Sequence, residues 1–223
     1  CPIGTDYDVL PEANRPVVEA LDYFIVENVR SARRFLGRGG MGRTVEELTF
    51  VECNEHTRPE ELPSMLEPLF GGRDAGFISE AGVPGVADPG AEIAALCHRA
   101  GIRVVPLVGP SSILLALMAP AERAVVCFQR LSSRQAAGAG KSLRMYEKRA
   151  LGEGQSQLFI EAPYRNAKLL EEMLAVLSPH TRLTVAADIT ASSEFILTLP
   201  VAVWHSRPRP DLNKRPAIFI IGR

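Results

Sequence analysis

The chain lacks the features that mark several large classes of protein. Its four cysteines, Cys1, Cys53, Cys97 and Cys127, are widely scattered, with no C-x-x-C pair and no Cys/His ligand spacing. That pattern argues against a metal site and a disulfide framework, and it fits a reducing cytoplasm. No apolar run approaches the roughly 18–20 residues a membrane-spanning helix needs, so no membrane partner is expected. No signal peptide is visible, and because Cys1 is not an initiator Met the chain is expected to begin inside a longer protein. The formal net charge of −1 gives no global field to draw in nucleic acid, leaving only local patches for that purpose. No G-x-G-x-x-G follows a strand, which disfavours a nicotinamide-dependent oxidoreductase. No internal repeat stands out.

What remains is an ordinary globular composition, 46% hydrophobic over 223 residues, enough for one large or two small α/β domains. Short apolar runs at Tyr23–Val26, Leu48–Glu52, Gly76–Ile78 and Ile102–Val108 read as strands. Between them, Glu12–Leu21, Ser31–Leu36, Glu60–Phe70 and the stretch after Asp88-Pro89 read as helices. Asp88 suits an N-cap, Pro89 a first helical position and Gly101 a C-cap. Gly37–Gly42 reads as a flexible break. Gly109-Pro110-Ser111-Ser112 opens a helix over Ile113–Met118. In the second half, Ala124–Phe128, Gln157–Ile160, Leu183–Ala186, Phe195–Leu199, Val201–Trp204 and Ala217–Ile221 are expected strands. Lys141–Leu151 and Asn166–Leu177 are expected helices, and Ser132–Gly140 a mobile loop. Alternation in the first half implies parallel strands; the close succession at the end implies a mixed sheet. The expected domains are 1–118 and 119–223.

The most informative stretch is Gly76–Gly90. It runs from a strand end, through a loop crowded with Gly and Pro, into a helix start. Glycine lets a backbone approach a ligand closely and proline stiffens the loop. Loops at the carboxyl ends of parallel strands are where open α/β sheets bind ligands. The bland reading is a capped strand-to-helix connection. Arg30, Arg33, Arg34, Arg38 and Arg43 form a basic run with no acid between them, which suits phosphate contact or simply a solvated helix face.

Ser79-Glu80-Ala81-Gly82-Val83-Pro84-Gly85-Val86-Ala87-Asp88-Pro89-Gly90 resembles the S-D-A-G-T-P-G-I-S-D-P-G signature of the tetrapyrrole-methylase superfamily. It more closely resembles the branch that methylates a ribose 2′-hydroxyl of small-subunit ribosomal RNA. Pro2-Ile3-Gly4 matches that family's opening turn, and Val108–Ser112 resembles its P-G-P-S-A element. Glu27–Leu36 is similar to E-D-T-R-x-T-R-K-L-L, with Asn28 where Asp is usual. Asn54-Glu55-His56 is similar to its H-E-H-N-E strip. Glu161–Arg165 resembles E-S-P-H-R, Ala186–Thr190 resembles A-R-E-L-T, and Pro216-Ala217-Ile218 replaces G-E-F.

The resemblance implies a class III methyltransferase fold, two α/β domains with a cofactor cleft between them, usually as a homodimer. It implies S-adenosylmethionine as cofactor, held by Pro2, Gly4, Ser79, Glu80, Ala81, Gly82, Pro84, Gly109, Pro110, Ser111 and Met118. It implies ribosomal RNA or the small ribosomal subunit as partner, met by Arg30, Arg33 and Arg34. Glu27, Glu80 and His56 are the candidates for taking the proton of the hydroxyl that is methylated. Glu80 in place of Asp keeps the charge and adds a methylene; Val83 in place of Thr removes a hydroxyl. A tetrapyrrole or other small molecule as acceptor, and a non-catalytic binding protein of the same fold, stay open at this point.

Overall fold

The computed structural model describes residues 9–40, 44–80, 83–86, 88–119, 125–130 and 139–222. The polypeptide divides into two compact units, the first ending at Ser111 and the second beginning at Ser112. This differs from the boundary expected after residue 118.

In the first unit, β1 (Tyr23–Val26) is flanked by β2 (Thr49–Glu52) and β3 (Gly76–Ile78), both parallel to it. Strand β1 is central and buried along its whole length, which explains its unbroken apolar run. Its side chains alternate between two cores. Tyr23 and Ile25 pack with Leu62, Met65, Leu66, Ile93 and Cys97. Phe24 and Val26 pack with Val18, Ala32, Leu36 and Leu48. Helix α1 (Arg15–Ala20) and α2 (Val29–Arg38) precede and follow β1; α4 (Gly90–Arg99) follows β3. Gly101, at φ +72°, takes the left-handed position just past α4 that a C-terminal stop requires.

Three expectations fail in this unit. Glu60–Phe70 is not one helix: a 3₁₀ turn over Leu62–Leu66 gives way to the four-residue α3 (Glu67–Phe70). Pro63 and Pro68 each lack the N–H that an α-helix interior would use. Helix α2 continues through Gly37 to Arg38, where a break was expected. Ile102–Val108 belongs to no strand. It runs largely exposed, with Val105 and Val108 54% and 72% accessible. A β-rich composition makes a strand only where an edge accepts its ladder, and no described strand pairs with this one.

The second unit begins with α5 (Ser112–Met118) and holds a five-stranded sheet in the order β4-β5-β8-β6-β7. These strands are β4 (Val125–Arg130), β5 (Gln155–Ile160), β6 (Arg182–Ala187), β7 (Phe195–Pro200) and β8 (Ala217–Gly222). Only β4 and β5 pair parallel; the other neighbours are antiparallel, giving the expected mixed sheet. One face carries Phe159, Leu183, Val185, Phe219 and Ile221 against helices α6 (Ala139–Glu153), α7 (Asn166–Val176) and α8 (Val201–His205). The other face packs Leu158, Ala186, Ile218 and Ile220 on Ala116 of α5, which is why that helix belongs to this unit. The Leu169, Leu170, Met173, Leu174 stripe of α7 is buried as its period predicts.

Val201–Trp204, expected as a strand, is helical. It starts directly after Pro200, and burial of Trp204 with its indole N–H on Leu183 O (2.8 Å) holds the turn in place. The loop expected at Ser132–Gly140 lies mostly outside the described residues, but Ala139 and Gly140 already belong to α6.

Candidate functional site

Because β1, β2 and β3 run parallel, their carboxyl ends share one edge of the first sheet. The ladder extends one residue past the strands: Glu27 N–H donates to Ile78 O (3.1 Å) and Cys53 N–H to Val26 O (2.8 Å). Glu27, Cys53 and Ser79 are therefore brought side by side from positions far apart in sequence. The Gly/Pro loop leaves from this edge, and so does α2, which bears the arginines.

The loop is tied down at both ends. At its start, Glu80 N–H donates to Glu27 Oε2 (2.7 Å), and the Glu80 side chain accepts from Ser31 Oγ (2.6 Å) on Oε1. Asn28, the residue standing where an acid was expected, caps α2 by accepting Ser31 N–H on Oδ1 (3.0 Å). An Asn directly ahead of the first apolar residue of a helical stretch, here Val29, is an N-cap signal, so this role was legible. At the far end, Asp88 Oδ1 accepts Gly85 N–H (2.8 Å) and Gly90 N–H (2.7 Å). Helix α4 thus starts at Gly90, one residue later than the Asp88-Pro89 pattern suggested, with the Asp88 carboxylate still satisfying its first N–H. Gly85 sits at φ +79°, a conformation that favours glycine.

Two buried polar atoms here find no partner among the described residues, Ser79 Oγ and Asp88 Oδ2. Buried polar groups in native proteins are nearly always paired, so each of these atoms is available to a ligand or to solvent. One is a hydroxyl able to donate or accept; the other is a carboxylate oxygen that accepts. The surroundings are acidic. Burial, reinforced by the carboxylates of Asp88, Glu92 and Glu27, pushes the Cys53 thiol up to about 11. Cys53 is fully buried and stays a neutral thiol, so it is no nucleophile at neutral pH. An edge of this kind suits a ligand with a positively charged centre and amine or hydroxyl donors. A sulfonium nucleoside carrying an amino-acid tail has those groups, and the residues present fit it.

The remaining candidates fall out unequally. Pro2, Gly4, Ala81 and Gly82 lie outside the described residues. Pro84 is exposed on the loop. His56 is held in a bend by its own N–H to Asn54 Oδ1 (2.9 Å). Its imidazole is 85% exposed and lies 3.7 Å from Glu55. Gly109, Pro110 and Ser111 follow an anchor in which buried Asn14 donates from Nδ2 to Val108 O (2.6 Å). Met118, in the second unit, exposes 72% of its surface and is no core residue. Arg30, Arg33 and Arg34 all project to solvent from α2, while Ala32 and Leu36 face the core. The Arg33 guanidinium lies 5.8 Å from the centre of the Phe50 ring.

In the second unit, three separate sequence elements meet. Arg215 donates from Nε to Asp188 Oδ2 (2.7 Å), from Nη1 to Asp211 O (2.7 Å) and from Nη2 to Ser193 O (2.5 Å). Asn166 donates to Arg215 O (2.6 Å), and Arg165 lies 3.5 Å from Glu161. Apart from Asn166 Oδ1, which finds no partner among the described residues, these groups satisfy one another, which is the arrangement of a structural brace. Among the described residues no three His, Cys, Asp or Glu side chains gather as a metal would need.

No family model matches the chain. It is 30% identical over 217 residues to the ribosomal RNA small subunit methyltransferase I of Pseudomonas aeruginosa, covering 96% of this chain and 73% of that one. It is 28% identical over 223 residues to the protein of the same name from Escherichia coli O157:H7, covering 99% and 74%. Among solved structures it resembles the methyltransferase CobJ, with a TM-score of 0.65 at 14% identity, over 99% of this chain and 92% of that one. The uroporphyrin-III C-methyltransferase of Thermus thermophilus, crystallised with S-adenosylhomocysteine, gives 0.54 at 17% identity, over 99% and 95%. At such identities the structural likeness establishes the class III methyltransferase fold and nothing finer.

Proposed function

This chain belongs to the ribosomal RNA small subunit methyltransferase I family, within the tetrapyrrole-methylase superfamily, and we propose that it methylates a ribose 2′-hydroxyl of small-subunit ribosomal RNA. It is an S-adenosylmethionine-dependent methyltransferase. The observation that carries the reading is the carboxyl edge of the first sheet. There a braced Gly/Pro loop presents two buried polar atoms with no partner among the described residues, in an acidic setting, next to a helix with a solvent-exposed arginine face.

S-adenosylmethionine, when bound, supplies a methyl group already activated on a sulfonium. The chain's part is then positioning and charge. Ser79 and Asp88 offer the side-chain contacts and the loop backbone of residues 79–80 and 83–86 the rest. Carboxylates of Glu27, Glu80 and Asp88 favour a cationic centre over a neutral one. Arg30, Arg33 and Arg34 take RNA phosphates. Glu27 is the better placed of the three candidates to receive the hydroxyl proton. It is half-buried at the end of the central strand, and its Oε1 makes no bond among the described residues, whereas Oε2 holds the loop. The His56 ring stands in solvent with only Glu55 beside it. The reading also places the protein in the cytoplasm with its substrate, as a homodimer. No described helix is long and apolar enough to cross a membrane.

The test is transfer of labelled methyl from S-adenosylmethionine to small subunits from a strain lacking the modification. The expected product carries label in the RNA and resists alkaline cleavage at a single linkage. Label found on no RNA substrate would end the proposal.

A further inference from the structure

Helix α2 and the donor loop are joined through one residue. Glu80 reaches back twice, by its N–H to Glu27, the residue ahead of the helix cap, and by its carboxylate to Ser31 in the first turn. Ser31 stands between Arg30 and the Arg33–Arg34 pair, and its own N–H is the one that Asn28 caps. A shift of the loop start is therefore transmitted to the turn that carries the arginines, and a pull on the arginines to the loop. The reach depends on the extra methylene of Glu80: an Asp there, as in the resembled signature, has a carboxylate one carbon nearer the backbone.

We infer that the Ser31–Glu80 hydrogen bond is a latch coupling methyl-donor binding in the loop to RNA binding on α2. This rests on the function proposed above. Ser31 and Glu80 are positioning residues: neither needs to touch a reacting atom. Each ligand favours the latched arrangement, so each tightens the other. Linkage requires the two effects to be equal.

The experiment is calorimetry of S-adenosylhomocysteine on the whole chain, alone and with saturating protein-free small-subunit ribosomal RNA. RNA is expected to tighten S-adenosylhomocysteine about fivefold, the lower end of ordinary coupling between sites. Ser31→Ala removes the hydroxyl but keeps the capped N–H, so the helix persists while the ratio falls toward one, the Glu80 N–H to Glu27 bond being the tie that remains. Glu80→Asp is expected to act the same way, and Ser31→Thr to restore the ratio. A ratio of one in the unaltered chain, or an undiminished ratio in Ser31→Ala, overturns the latch while leaving the methyltransferase reading intact. Absence of any S-adenosylhomocysteine binding overturns both.

Discussion

Gly90 is the position where a single methyl group should do the most damage at the site. A Cβ built there lies 2.7 Å from Phe77 Cε1 and 2.8 Å from Asp88 Oδ1. Real Cβ atoms do not tolerate such approaches, so in Gly90→Ala either the ring or the carboxylate must move. Phe77 is hemmed in by the core on one face of the first sheet. Overpacking of this kind costs about 1–3 kcal/mol. If Asp88 moves instead, its Oδ1 loses Gly85 N–H, Gly90 N–H or both. Each such bond contributes about 1 kcal/mol net. Opposing this, Ala is better than Gly in a helix by up to about 1 kcal/mol, less at the first turn. The balance is a net loss of about 1–2 kcal/mol, or a fall in Tm of about 2–8 °C for a chain of this size. On the proposed reading, in which the buried Asp88 Oδ2 contacts the cofactor, displacement of that carboxylate should lower S-adenosylhomocysteine affinity at least tenfold, the equivalent of about 1.4 kcal/mol. Urea titration and calorimetry on the same preparation measure both. Gly85→Ala is the informative contrast, since its added Cβ meets nothing nearer than 3.9 Å and the cost there is backbone strain at φ +79°. An unchanged urea midpoint for Gly90→Ala would refute the close-packing argument.

Two further outcomes follow from charge. Replacing Arg30, Arg33 and Arg34 together by Ala should weaken RNA binding across sequences. It should also flatten the slope of log affinity against log salt by about 2, since roughly 0.7 of a counterion is released per phosphate neutralised on a single strand. An unchanged slope would show that RNA does not meet this face. The buried Cys53 thiol has a folded value near 11 against an ordinary one near 9. Its contribution is fully present below pH 9 and is lost as pH rises through 11, because only the unfolded chain ionises readily in that window. The loss is about 2–3 kcal/mol at two pH units of displacement. Urea midpoints of the wild type should therefore fall more steeply than those of Cys53→Ala between pH 8 and 11, and parallel curves would contradict it.

Local chemistry made much of the framework legible. Tyr23–Val26 and Gly76–Ile78 were readable as strands because a short apolar run between turns has few other uses. The α7 stripe was readable because its period is helical. The same reasoning failed at Ile102–Val108 and Val201–Trp204, where composition favours a strand but the outcome depended on neighbours. At the site, the Gly/Pro loop and the arginine run were visible as residues. Asn28 was noted only as standing where Asp is usual, and its cap bond to Ser31 was not considered. Asp88 was read only as a helix start, although it also holds the loop turn at Gly85.

The sequence by itself determined the two kinds of sheet, the Gly/Pro loop after β3 and the family to which the chain belongs. Each of these is written in contiguous residues whose backbone preferences and apolar periods act locally. Only the tertiary structure decided that Glu27, Ser31 and Glu80 form one hydrogen-bonded cluster, and that Ser79 Oγ and Asp88 Oδ2 are left buried without partners. Pairing across some fifty residues is set by which strands run parallel and where their carboxyl ends fall. Desolvation of a single atom is set by everything packed around it, and neither quantity exists until the chain has folded.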